Sequence, residues 1–391
     1  MPDPVQQYYT YTKQEIVLRG QDHILITRPA LGNTKERLTS SLLLAEHVNL
    51  EPKDQVLHLH CGLGLAGVVA ARQAYQGHVT LLDCHSVAVE VARRALAANG
   101  IANAEVYLSD CGHAVQGHTF DAVLALLPKG RAVWEQTILD AAALLRVDGR
   151  LYLAGANKSG AKSAAKYASR ILGDVQVLGY KGGCRIFQAT KTRDDPIPQS
   201  DYYAWQTIDT QVGDEHFVYA TKPGLFSWEH LDTGTRLLME ALHAHPLRQE
   251  GRVLDLGCGS GVLTLLAARQ ARNGTVIGVD VDCRAVEATR RTLEMNRVSN
   301  ARVQFSDCTE AVEGQTFTAV VTNPPFHQER DTTYAIAEQI IRAAARVLCA
   351  HGQLYLVANS FLGYAPIIER EFGQADLLCE TKSYKVWHAT R

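Results

Sequence analysis

The 391-residue chain predicts an α/β architecture built twice, each copy a doubly wound, mostly parallel sheet. Three observations predict it. Short apolar runs bounded by glycine and aspartate alternate with helical patterns, the signature of strand–helix–strand units. One such run, Val253-Leu254-Asp255-Leu256, passes directly into the glycine-rich turn Gly257-Cys258-Gly259-Ser260-Gly261 and then into a helical pattern. A ladder of landmarks also occurs twice at a constant offset of 197 residues: Gly64 and Gly261, Asp83 and Asp280, Glu90 and Glu287, Asn99 and Asn296, Asp110 and Asp307, Phe120 and Phe317. An offset held over six landmarks is duplication rather than chance.

In order along the second copy, the periodicity predicts a strand from Arg252 to Leu256, a helix from Val262 to Arg272 and a strand from Thr275 to Val279. A helix from Arg284 to Asn296 and strands from Ala301 to Phe305 and from Ala319 to Thr322 follow, then a helix from Ala335 to Leu348 and a strand from Gln353 to Ala358. Such alternation places ligands at the carboxyl ends of the strands. The duplication reaches further than its constant-offset part. His23 to Pro29 and Thr39 to Val48 match His216 to Pro223 and Thr233 to Leu242 at an offset near 194, so a small insertion is expected around His243 to Glu250. Gly149 to Leu153 match Gly352 to Leu356 at an offset of 203, which puts extra residues of the second copy just after Asn323-Pro324-Pro325-Phe326. Extra length beside a motif is expected to be substrate-facing loop. Residues 191–205, charged and proline-rich from Lys191 to Asp201, are the expected linker between domains at 1–190 and 206–391.

Composition narrows the class. The chain is 46% hydrophobic and 20% charged, with no uncharged apolar run near the ~18 residues that cross a bilayer, so a soluble protein without a membrane partner is expected. Met1 to Thr12 is polar and lacks a basic n-region and an apolar h-region, which predicts no secretory signal and a cytoplasmic home. Nine cysteines without a CxxC pair argue against a disulfide framework or a zinc site and predict small buried side chains. A net charge of −2 means that any RNA or DNA partner must be held by local patches.

The glycine turn lets the backbone bend sharply and lets a ligand approach the main chain, with a helix amino terminus facing it. The next strand ends at Asp280, an acid suited to ribose hydroxyls, and a third ends at Ser306-Asp307-Cys308, where a carboxylate can accept from an adenine amine. A GxG turn also occurs as a plain strand-to-helix connection, and Val262 stands where the dinucleotide fingerprint wants its last glycine, which argues against nicotinamide or flavin. Asp255 either reaches a cofactor amino group or holds the loop amides. These residues resemble the class I S-adenosylmethionine-dependent methyltransferases. The resemblance implies S-adenosyl-L-methionine as cofactor, its methionine part over Gly257, Gly259 and Gly261, its ribose at Asp280 and its adenine at Asp307 and Cys308.

Asn323-Pro324-Pro325-Phe326 is the most specific motif. A nucleobase amine is a poor nucleophile because its lone pair is delocalised into the ring. Two acceptors, the Asn323 side-chain carbonyl and the Pro324 backbone carbonyl, can turn that lone pair toward a methyl donor. The prolines fix the backbone and remove competing N–H groups, and Phe326 offers a face for the base to stack on. A Pro-Pro turn that merely ends a strand is the plain alternative. This motif, together with Pro223-Gly224-Leu225-Phe226-Ser227, Asp232-Thr233-Gly234, Ala358-Asn359-Ser360-Phe361-Leu362 and the tandem arrangement, resembles the RsmC/RlmG group of ribosomal RNA guanine 2-amine methyltransferases. The resemblance implies methyl transfer to a guanine 2-amine of ribosomal RNA, small-subunit (16S) in preference to large-subunit (23S), by a monomer acting on RNA or on the small subunit. It also implies that Phe226 and Ser227 close over cofactor or base, although Phe226 equally fits a core aromatic. His327 is read either as a base or phosphate contact or as an ordinary loop histidine. An adenine amine or a glutamine amide is the alternative acceptor, and a non-catalytic RNA-binding assembly factor is the alternative of another class. The target base must be flipped out or unpaired to react.

The first copy lacks these groups. His58 and His60 replace Asp255 and Gly257, and Leu126-Leu127 replace Asn323-Pro324, which excludes the same catalysis there. His58, His60 and Cys61 lack a second ligand pair, so no metal is expected. Lys158, Lys162, Lys166 and Arg170 recur every four residues on an expected helix. With Lys129 and Arg131 they read either as a phosphate-tracking RNA patch or as a solvated face.

Overall fold

The computed structural model describes residues 8–31, 35–325 and 330–391. The chain divides into two compact units, Tyr8–Tyr203 and Ala204–Arg391, each with a core of its own. In the first, a hairpin of β1 (Thr12–Leu18) and β2 (Gln21–Thr27) precedes β3 (Gln55–Leu59), β4 (His78–Asp83), β5 (Ala104–Leu108) and β6 (Phe120–Leu126). β7 (Leu145–Ala156), β8 (Val175–Lys181) and β9 (Cys184–Thr190) complete a seven-stranded sheet in the order β5-β4-β3-β6-β7-β9-β8, with β9 antiparallel to both neighbours.

The second unit repeats this plan. The hairpin is β10 (Gln206–Val212) and β11 (Glu215–Thr221), and β12 (Arg252–Leu256), β13 (Thr275–Asp280), β14 (Ala301–Phe305) and β15 (Phe317–Thr322) form the parallel part. β16 (Leu348–Asn359), β17 (Asp376–Glu380) and β18 (Tyr384–Thr390) follow, in the order β14-β13-β12-β15-β16-β18-β17. Val253, Leu254, Asp255 and Leu256 are all buried, as both faces of a parallel strand are when helices cover them. The strand order reverses at β12, which lies between β13 and β15, so a crevice opens at the carboxyl ends of those strands.

The strands and helices expected from periodicity are present, with ends shifted. The helix after the glycine turn is Val262–Gln270, the next is Cys283–Met295, and the one before β16 is Arg330–Val347. Both hairpins, the helix Thr233–Ala244 and the antiparallel pair β17–β18 come in addition to the expected elements; β10 and β17 are short, mixed and largely exposed, which leaves little periodic signal. Residues 191–205 hold no helix or strand, yet Tyr202 is buried within the first unit.

The landmarks of the repeat have physical reasons. Gly64 and Gly261 have φ of +70° and +81°, and a Cβ on either would stand 2.8 Å from the Cα of Ala92 or Thr289, so only glycine lets turn and helix approach. Asn99 docks the first hairpin by accepting from the Ile24 amide at 2.9 Å and donating to its carbonyl at 2.8 Å, and Asn296 donates to the Val218 carbonyl at 2.6 Å. The insertion is visible in a pair of glutamines. Gln73 accepts from the Leu50 amide and donates to the Val48 carbonyl, whereas Gln270 accepts from Leu247 and donates to Leu242, so the second copy spans three more residues between those contacts.

Among the described residues no helix is long and apolar enough to cross a membrane, and no three His, Cys, Asp or Glu side chains gather into a metal-binding group. Cys61, Cys111, Cys184, Cys258 and Cys308 are buried, and no disulfide joins any of the nine cysteines, all of which are among the described residues.

Candidate active site

The site begins where β12 ends. Gly257 and Cys258 donate their amides to the Val279 carbonyl at 2.9 and 3.0 Å, which folds the turn across the tip of β13. Gly257 and Gly259 have φ of +85° and +55°, and a Cβ on either meets nothing within 4 Å. The main chain therefore faces open space, where a ligand can lie directly on it. Thr289 and Thr292, on the helix Cys283–Met295, support the turn from behind, with hydroxyls 3.2 Å from the Gly259 carbonyl and 2.8 Å from the Ser260 carbonyl.

Three carboxylates stand at the successive strand ends. Asp255 is fully buried, and its Oδ2 accepts from the Thr264 hydroxyl at 2.5 Å while Oδ1 has no partner. Burial, with the Asp280 charge adding to it, raises its carboxyl to about 7 despite the Thr264 hydrogen bonds. Asp280 accepts from the Gly259 and Asp282 amides, each at 3.0 Å, and is raised to about 6 by burial and by Asp282. A carboxylate offers about four lone-pair sites, so roughly two remain for hydroxyl donors. Asp307, also buried, follows β14, and Cys308 beside it takes φ of +47°. An unpartnered buried oxygen, an open glycine cradle and acceptors at the next strand end fit a nucleoside carrying a cationic, zwitterionic tail.

A pH dependence follows. An acid whose pKa is raised in the folded state stabilises that state when protonated, in full below the ordinary carboxylate range, and this contribution is lost as pH rises through the raised value. The second unit is therefore expected to melt progressively lower between about pH 5 and pH 8. Asp255→Asn keeps the acceptor for Thr264 and should flatten the upper part of that slope, Asp280 retaining the lower. Melting curves across pH check it, and an unchanged slope in the variant would refute the assignment.

Asn323 closes the crevice on its other side. The Thr322 hydroxyl donates to the Leu256 carbonyl at 2.7 Å and so holds the end of β15 against the end of β12. The Asn323 Nδ2 donates to Asp232 Oδ2 at 3.1 Å and to Thr235 Oγ1 at 2.9 Å. A carboxylate only accepts, so the amide must present its NH₂ to Asp232. Both amide hydrogens are then engaged, and the carbonyl oxygen is the atom left to accept from a ligand. Asp232 is itself held as the amino-terminal cap of the helix Thr233–Ala244, accepting from the Thr235 amide at 2.8 Å, and burial and the Asp232 charge raise the pKa of the Tyr384 phenol. Asp232 and Thr235 are the residues whose role sequence reasoning missed. The motif Asp232-Thr233-Gly234 was visible, but nothing in it indicates a contact 91 residues away.

Pro324 is buried and Pro325 exposed, whereas Phe326 and His327 lie outside the described residues. Phe226 is 58% exposed, so it is not the core aromatic that was the alternative, since the core of this unit closes without it. Ser227 takes φ of +49° and donates its hydroxyl to the His230 carbonyl at 2.8 Å.

The first unit has lost these arrangements in matched sets. The Asp255–Thr264 pair becomes His58 and Gly67, and burial lowers the His58 imidazole to about 3, leaving it neutral with both nitrogens unpartnered. The supporting Thr289 and Thr292 become Ala92 and Ala95, and Asp232, Asn323 and Tyr384 become Leu38, Leu126 and Cys184. His60 stands in place of Gly257 with its Nε2 2.9 Å from the Thr137 hydroxyl, and the Leu126 methyl lies 3.2 Å from where a Gly62 Cβ would be. The open cradle of the second unit is therefore filled. Asp83 keeps its geometry, accepting from Gly62 at 2.9 Å and His85 at 3.0 Å.

Of the basic stripe, Lys162, Lys166 and Arg170 are exposed on the helix Ala161–Ile171, whose opposite face buries Ala161, Ala164, Ala165 and Ala168. Lys158 is not on that helix. It lies in the turn Asn157–Ser159 ahead of it, because Gly160 takes φ of +95° and separates the two, and it pairs with Glu36 at 2.8 Å. Lys129 is exposed, and Arg131 pairs with Glu135 at 2.8 Å.

A family model described as the methyltransferase small domain matches residues 25–188 and again 216–388. The chain belongs to the methyltransferase small domain family. This methyltransferase is 36% identical over 273 residues to ribosomal RNA small subunit methyltransferase C of Stutzerimonas stutzeri, an alignment covering 70% of this chain and 80% of that protein. The like-named protein of Pseudoalteromonas atlantica is 33% identical over 274 residues, 70% of this chain and 78% of that one. The solved T. thermophilus 16S rRNA N2 G1207 methyltransferase, in complex with AdoMet and guanosine, superposes with a TM-score of 0.83 at 28% identity and covers 99% of each chain. Both sheets of the methyltransferase fold are thus shared over the full length.

Proposed function

We propose that the second unit transfers a methyl group from S-adenosyl-L-methionine to the exocyclic 2-amine of a guanine in 16S ribosomal RNA. The observation that carries this reading is the Asn323 amide, oriented by Asp232 and Thr235 at the carboxyl end of β15, beside a glycine cradle that ends β12. The likeness to small-subunit ribosomal RNA methyltransferases over most of the chain supports the choice of RNA and of base.

When bound, the cofactor supplies a methyl group on a cationic sulfur. The chain's own residues do the positioning. Gly257 and Gly259 leave the main chain bare for the methionine part, Asp255 offers its unpartnered Oδ1 to the ammonium, Asp280 receives the ribose hydroxyls, and Asp307 with Cys308 receives the adenine. The Asn323 carbonyl and the Pro324 backbone carbonyl accept the two hydrogens of the guanine amine and turn its lone pair outward. Pro325 fixes the backbone beyond, and Phe326 and the exposed Phe226 supply faces for base and cofactor. Catalysis is orientation rather than proton abstraction, since the proton leaves readily once the amine has become cationic.

To the first unit we assign RNA placement, through Lys129, Arg131, Lys158, Lys162, Lys166 and Arg170. Every group of the catalytic site comes from one unit of one chain, which supports a monomer as the working form, with the cytoplasm, where ribosomes are built, as its place. Tritium-labelled cofactor incubated with small-subunit and with large-subunit RNA from a strain lacking the protein tests the reading. Label in a single 2-methylguanosine of 16S RNA is the expected result. No transfer, or label in 23S RNA or in adenine, would overturn it.

A further inference from the structure

The first unit keeps, at the end of β5, the Asp-Cys turn that the second unit has at the end of β14, and a segment of the chain itself lies against it. Tyr202, at the far end of the irregular stretch 191–205, is only 3% exposed. Its hydroxyl donates to Asp110 Oδ1 at 2.8 Å, and its ring packs on Cys111 and Val133. Asp110 and Cys111 are the counterparts of Asp307 and Cys308, and Cys111 takes φ of +49° as Cys308 takes +47°. The tyrosine therefore meets the same carboxylate and the same unusual turn that the second unit presents to an adenine.

Tyr203 completes the arrangement. Its ring meets that of Tyr202 edge-on at 5.3 Å and that of His113 at 5.2 Å, and its hydroxyl donates to Asp140 Oδ2 at 2.5 Å. Asp140 also accepts from the Gly112 amide at 2.7 Å and from Gln136 at 2.6 Å. Ala343 holds the corresponding place in the second unit, where the helices end at Val347 and at Leu144 here. A buried carboxylate is costly unless it is satisfied. This unit carries an additional one at the point where the Tyr203 hydroxyl arrives. The methionine end of the pocket is closed separately, by His60 and Leu126.

We propose that Tyr202 and Tyr203 are a built-in occupant of the first unit's nucleobase subsite: an aromatic ring with a hydroxyl donor takes the place of an adenine with its amine. The unit then needs no nucleoside to complete its core, and it takes up no cofactor. The likeness to an adenine subsite rests on the cofactor assignment made for Asp307 and Cys308, whereas the occupancy by tyrosine does not.

The test uses the full chain in calorimetry with and without millimolar p-cresol or adenine. Tyr202→Phe, which removes only the hydroxyl, is expected to lower one melting transition by about 3–8 °C. Tyr202→Ala/Tyr203→Ala should lower it further and recover at least half the loss with p-cresol or adenine, neither of which moves that transition in wild type. A Tyr202→Phe variant melting within about 1 °C of wild type would overturn the proposal, even where the double variant fails to fold. So would a folded double variant that neither additive stabilises. Recovery with p-cresol and not adenine would overturn the nucleobase character of the pocket. Wild-type titration with S-adenosylmethionine separates the two readings: no binding at all refutes the cofactor assignment of the second unit and leaves the p-cresol result intact, and two bound molecules per chain refute the closed pocket.

Discussion

Asn323→Ala is expected to lower methyl transfer by about 10²–10³-fold while leaving the affinity for S-adenosylmethionine within about twofold. The split follows from position. Asn323 follows β15, and its NH₂ is taken up by Asp232 and Thr235, so what it offers a substrate is one carbonyl acceptor aimed by two bonds on the far side of the amide. Removing it leaves the glycine turn, Asp280 and Asp307 untouched. The amine is then free to rotate, and its lone pair returns to conjugation with the ring. Asp232→Ser, which retains a helix cap but has a shorter reach, should act in the same direction by about tenfold, since misplacement of a reacting group by about 1 Å costs as much as 10²-fold. Steady-state methyl transfer with equilibrium cofactor titration measures both. Transfer by Asn323→Ala at the wild-type rate would eliminate the mechanism, and equal losses of rate and cofactor affinity would reduce Asn323 to a structural role.

Gly257→His, which writes the first unit's residue into the second, is expected to weaken cofactor binding by at least about 100-fold with the fold retained. Nothing lies within 4 Å of a Cβ at Gly257, so the imidazole enters the crevice rather than displacing protein atoms. The positive φ costs on the order of 1–3 kcal/mol, a strain that the first unit already accepts at His60, whose φ is +51°. Lost cofactor binding would then come from bulk placed where a ligand must lie on the backbone. Isothermal titration reads the affinity and circular dichroism the fold. The reverse change, His60→Gly, is expected to restore no binding, because Leu126 and the tyrosine pair still fill what the cofactor requires and Ala92 lacks the hydroxyl with which Thr289 supports the turn. Unchanged affinity in Gly257→His would refute the placement of the methionine part.

These two positions also show how far the chain can be read without its coordinates. Gly257, Gly259 and Gly261 are legible because the need for a positive φ leaves a glycine in the sequence, and the alternation around them identifies strands. Asp280 and Asp307 are legible because they terminate apolar runs. The two hairpins were not, since β10 reads Gln-Thr-Ile-Asp-Thr-Gln-Val and its partner docks through Asn296, a contact that leaves no periodic trace. Spacing alone places Lys158 on the helix of Lys162, Lys166 and Arg170, whereas the positive φ of Gly160 ends that helix before it.

What the sequence determined by itself is the duplicated α/β plan, the order of the strand ends and the inequality of the two copies, because each is written in local pattern: period, glycine and a motif present in one copy and altered in the other. Only the tertiary structure decided how the altered residues act together. Asp232 reaches Asn323 across 91 positions, and Tyr202 reaches Asp110 across 92. Hydrogen bonds of that range depend on chain reversals that bring distant strand ends to one edge of a sheet, and no local period encodes them.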